Sequence, residues 1–147
     1  MRPLAESRAA AQRLIKALPW PLPNNEARRA DAVLAGLRAS GLLDNNARGS
    51  SPAVAAAARD GLTSLAHLLD EAAPGHGAGR LLLLLLAERE AFTPHPVPDE
   101  HQIRARDAAA ALLHLALWHT DDPFRLLAAS MRVHAEEAHN HNSSGRA

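Results

Sequence analysis

Apolar residues return along this 147-residue chain at intervals of three and four rather than two. That is the helical period; half-buried strands alternate instead and draw on Val, Ile and Thr, which are few here. A first helix is expected over about 3–18, where Leu4, Ala11, Leu14, Ile15 and Leu18 recur at helical spacing. Pro19, Pro21 and Pro23 stop it, because proline removes a backbone donor and biases its predecessor to extended geometry. Asn24 or Asn25 can cap a second helix, with Ala30, Val33, Leu34 and Leu37 inward. Gly41 followed by Leu42 reads as its left-handed end.

Ser51-Pro52, a cap plus a first-turn proline, starts a third helix that runs to about Ala73, with Val54, Ala58, Leu62, Leu65 and Leu69 on one side. A fourth, about Arg80 to Phe92, opens with six consecutive leucines. The fifth runs from about Asp99 to His119 and is apolar around most of its girth from Ala108 onward. Asp121-Asp122-Pro123 starts the sixth, which presents Phe124, Leu127, Ala128, Met131, Ala135 and Ala138. A helix that is apolar all round must be surrounded. The expected fold is therefore all-α, a compact bundle of about six short helices with the fourth and fifth at its centre. Residues 3–139 form a single domain on this reading, 140–147 a polar, disordered tail, and no internal repeat is evident.

Composition narrows the chemistry. The chain has 33 Ala and 24 Leu, leaving Trp20, Phe92, Trp118 and Phe124 as its large anchors. With no Cys and no Tyr, a disulfide framework, a thiolate nucleophile, a cysteine-ligated metal and tyrosine catalysis are all excluded. Residues 1–50 carry eight Lys and Arg against four Asp and Glu, and residues 51–147 carry eight against twelve. The two halves attract each other, and the net charge of zero gives no global basic footprint for nucleic acid. The longest apolar run, Leu81 to Ala87, is far short of the roughly 20 residues a bilayer requires, so no membrane is expected and the cytoplasm is the expected location. Heavy Ala and Arg usage points to a GC-rich bacterial or phage genome.

Histidine is the one over-represented reactive residue: nine are present, all after residue 66. On the sixth helix His134, Glu137 and His141 follow i, i+3, i+7 spacing, which puts two imidazoles and a carboxylate on one side. Those are the ligand types of a Zn²⁺ or Fe²⁺ site with open positions, which His119 or His114 could fill. The plain alternative is histidines that flank a core and complement the helix dipole. Glu136 and His139 form a Glu-x-x-His unit of the kind di-iron bundles use in pairs, but no second copy occurs. Asp107 and His114 are spaced as a base and its orienter, with no serine in a nucleophile context, so a satisfied core histidine is the simpler reading. The glycines of 75–79 follow a helix rather than a strand and lack the Lys-Ser/Thr of a phosphate loop.

Arg28, Arg29 and Arg38 lie near the second helix, and with Arg48 and Arg59 they are the candidate nucleic-acid contacts. The connection from Gly41 to Pro52 is much longer than a helix-turn-helix allows. On the proline strip, Trp20 and Leu22 either dock in a partner's groove or strap the end of the bundle. The expected function is a non-catalytic helical protein acting through protein–protein contacts, as an accessory, regulatory or assembly factor or a homo-oligomer. A metal-binding module or metal-dependent enzyme built on the C-terminal histidines is the alternative, and a DNA-binding regulator the third. No motif demands a cofactor beyond the ion of the second reading.

Overall fold

Five helices carry the architecture: α1 (Leu4–Ala17), α2 (Glu26–Ser40), α3 (Ser51–Ala72), α4 (Glu100–His119) and α5 (Pro123–Ser144). The computed structural model describes residues 3–44, 51–72, 77, 79–80, 82–83, 100–119 and 123–144; for 51, 72, 100–102, 117–118, 123–124 and 140–144 it describes the backbone alone. Among the described residues there is no strand, so the all-α class holds, with five complete helices in place of about six. Gly79, Arg80, Leu82 and Leu83 are helical as well; the remainder of the expected fourth helix, Phe92 included, lies outside the described residues. No helix among the described residues is long and apolar enough to cross a membrane.

Local chemistry sets the helix ends. The Leu18 N–H still reaches the Leu14 carbonyl at 3.1 Å, after which Pro19 ends α1. The strap that follows is fastened by Trp20, whose Nε1–H donates to the Ile15 carbonyl at 2.8 Å. The Arg104 guanidinium from α4 lies 5.5 Å above the same ring, and the Trp20–Pro21 bond is cis. Asn25 caps α2 by accepting the Arg28 N–H at 3.1 Å. Gly41 closes it with a left-handed φ of +82°, a conformation that costs glycine little. At the other end of the chain α5 continues to Ser144, beyond residue 139 where the domain was expected to end.

Helix α3 lies deeper than its sequence pattern suggested. Helix α3 packs against α1, α4 and α5 and touches α2, and every residue from Gly61 to Leu69 is buried. Helix α4 is exposed at Ile103 and Asp107 near its start, but between Ala108 and Ala116 it is buried or half-buried everywhere except at His114. Polar pairing is what allows α3 to sit so deep. Thr63, Ser64 and His67 interrupt the apolar pattern of α3, yet each has a partner, which is what burial of a polar group requires.

Candidate metal centre between two helices

Spacing of three places His67 and Asp70 on one face of α3, and His134 and Glu137 on one face of α5. The two faces meet and exchange partners. His67 Nε2 lies 3.2 Å from Glu137 Oε1, and His134 Nε2 lies 2.6 Å from Asp70 Oδ2. The imidazoles lie against each other, centroids 4.5 Å apart and planes tilted by 31°. One turn earlier, the Thr63 hydroxyl donates to its own Arg59 carbonyl at 3.0 Å and approaches the Ser130 carbonyl at 3.5 Å. The Ser130 hydroxyl does the same with Leu126 at 3.0 Å and Arg59 at 3.5 Å. Partners advance together along both helices, so α3 and α5 run parallel here.

The contact is nearly symmetric, and the sequence carries the symmetry. Thr63 and Ser130, His67 and His134, and Asp70 and Glu137 are each separated by 67 residues. The motif Ser/Thr-x-x-x-His-x-x-Asp/Glu therefore occurs twice, and each histidine takes the acid of the other copy. No repeat was expected, because the intervening residues do not match; this eight-residue pattern was the signal that would have exposed His67 and Asp70.

Burial is deep on one side of the cluster and shallower on the other. His67, His134 and Glu137 are buried, whereas 30% of the Asp70 side chain remains exposed. Burial alone raises the Asp70 carboxyl. The hydrogen bond with His134, the Gly79 N–H at 2.8 Å and the charges of His134 and His67 outweigh it and hold the group below its ordinary value. One donor atom from each of His67, Asp70 and His134 lies within 4.8 Å of the others. Two imidazoles and a carboxylate so disposed can serve as the protein ligands of a transition-metal ion.

Of the three expected ligands, His134 and Glu137 belong to the cluster, while the His141 side chain lies outside the described residues. The other half of the cluster comes from α3. Glu136 and His139 are exposed. His114 is not a core residue: it is exposed and lines a shallow depression between α2 and α4 with Glu26 and Arg29, and Asp107 is exposed with Oδ1 3.8 Å from Arg106 Nε. Trp20 and Leu22 are half-buried against the core. Arg29 is half-buried and donates to the Pro23 carbonyl at 3.4 Å, while Arg28 and Arg38 are exposed, about 15 Å apart along the α2 axis. Arg48 and the side chains of Trp118 and Phe124 lie outside the described residues. Comparison of the chain with family models, with curated proteins and with solved structures finds no match.

Proposed function

We propose that this protein is a helical module that binds one divalent transition-metal ion through His67, Asp70 and His134, with Glu137 orienting His67. The convergence of three donor atoms within 4.8 Å, from two helices and at a largely buried place, carries the reading. Donors bound to one ion at about 2.0–2.2 Å stand roughly 3–4 Å apart, so small side-chain adjustments close the set. Glu137 suits the outer layer, since a ligating histidine usually gives its second ring nitrogen to a carboxylate that fixes its orientation. Three protein ligands leave a position for water or a substrate. Docking through apolar surface has less to rest on: Ile103 is the only large hydrophobic residue exposed among those described.

Metal analysis and Zn²⁺ titration of the full chain, purified without a histidine tag, test the proposal. One ion per chain is expected, lost in His67→Ala and in His134→Ala and retained in His139→Ala. Binding no stronger than that of an unrelated histidine-containing protein, or binding indifferent to both alanine variants, overturns it.

A further inference from the structure

Two imidazoles already favour the zinc and iron class over calcium or magnesium. Asp70 decides how many positions its carboxylate can fill. Large cations such as Ca²⁺ take six to eight oxygens and often use both oxygens of a carboxylate. Here the two oxygens are divided between different partners. Oδ2 faces His134 at 2.6 Å, and Oδ1 accepts the Gly79 N–H at 2.8 Å.

Gly79 can make that bond because it has no side chain. It is buried against the last turns of α3, and a Cβ there would run into the Ala66 carbonyl oxygen and stand 2.7 Å from Asp70 Oδ2. Leu82 and Leu83, three and four residues on, are fully buried in the core and hold the segment in place. The carboxylate is thus gripped from behind by a backbone donor that only glycine can bring so close.

We propose that Gly79 is a positioning residue that leaves Asp70 a single oxygen, Oδ2, with which to hold an ion, and that it thereby favours a transition ion such as Zn²⁺, Co²⁺ or Fe²⁺ over Ca²⁺. The inference rests on the metal reading above and adds a specificity determinant to it. Outer-layer partners of this kind typically contribute 10–100-fold to metal affinity.

The test uses the full, metal-stripped chain labelled with ¹⁵N-glycine. Wild type is expected to bind Zn²⁺ in the presence of at least about 100-fold excess Ca²⁺, and Gly79→Ala to bind Zn²⁺ about 10–100-fold more weakly. The Gly79 amide resonance supplies a readout that does not depend on the alanine variant folding. It is expected to move upfield in Asp70→Asn, where the charged acceptor is gone, and to keep its downfield position when wild type is saturated with Zn²⁺. A folded Gly79→Ala that binds Zn²⁺ within twofold of wild type, or a Gly79 amide indifferent to Asp70→Asn, overturns the role of Gly79 and leaves the metal reading standing. Wild type that binds no Zn²⁺ overturns both.

Discussion

Helix α3 is held by polar contacts on two sides, and the two contacts are of different kinds. Towards α1 the buried part of the seam carries a hydroxyl pair, Ser7 Oγ and Ser64 Oγ at 2.9 Å, and the Arg8–Glu71 ion pair, 3.5 Å apart, lies at its solvent-facing edge. Towards α5 the seam carries four ionisable groups, paired as His67 with Glu137 and His134 with Asp70. A hydroxyl pair satisfies itself: each oxygen can donate or accept, no charge is desolvated, and acid and metal ions leave it alone. Buried ionisable pairs are costly to form, and well-packed apolar residues of similar volume are often as stable or more so. In its buried part the α1 seam shows how this chain closes a helix contact with neutral groups and leaves the charged pair at the edge. The α5 seam departs from that solution at an energetic cost, which is the stability-side reason to read it as a functional site.

The largest effect should come from halving one of those pairs. Glu137→Ala leaves the His67 imidazole buried without this acceptor and is expected to lower unfolding free energy by about 3–5 kcal/mol in urea titration. The double variant His67→Leu/Glu137→Leu should recover most of the loss, because both polar groups then disappear together. A cost below about 1 kcal/mol for Glu137→Ala would place the α5 seam with the neutral one and remove the contrast.

On the α1 side the same logic gives a smaller number. Ser7→Ala strands the buried Ser64 hydroxyl from its partner and should cost about 1–3 kcal/mol, with Ser7→Ala/Ser64→Ala nearly neutral. Neither variant should change Zn²⁺ affinity. A Ser7→Ala protein that binds Zn²⁺ tenfold more weakly would show that the two seams are not independent.

The contrast also explains what could be read from the sequence. Asn25, Gly41 and the Ser51-Pro52 start were legible because a cap is decided by neighbouring residues. The central place of α3 was not, because burial of Thr63, Ser64 and His67 depends on Ser7, Ser130 and Glu137, some 57 to 70 positions away in the chain. Half of the candidate site, His134 and Glu137, was visible from i, i+3 spacing on one helix. His67 and Asp70 resembled the polar edge of an amphipathic helix, and the parallel approach of α3 and α5 is what turns that edge inward.

The smallest expected effect separates the seams by their response to acid. In metal-stripped protein, burial pushes the Asp70 carboxyl up, but the His134 hydrogen bond, the Gly79 N–H and the two imidazole charges pull it further down, below its reference value of 3.8. A carboxyl whose pKa is lower folded than unfolded contributes stability that is fully present above the unfolded value and fades as pH falls through the folded one. Asp70 should therefore steepen the loss of stability below about pH 4, modestly, because its side chain is 30% exposed and partly screened by solvent. Urea midpoints recorded from pH 5 down to pH 2.5 should show a shallower acid limb for Asp70→Asn than for wild type. Ser7→Ala should instead run parallel to wild type, shifted by a constant amount, because no proton is bound or released at a hydroxyl pair. If the two variants gave acid limbs of the same slope, charge would not be what distinguishes the contact with α5 from the contact with α1.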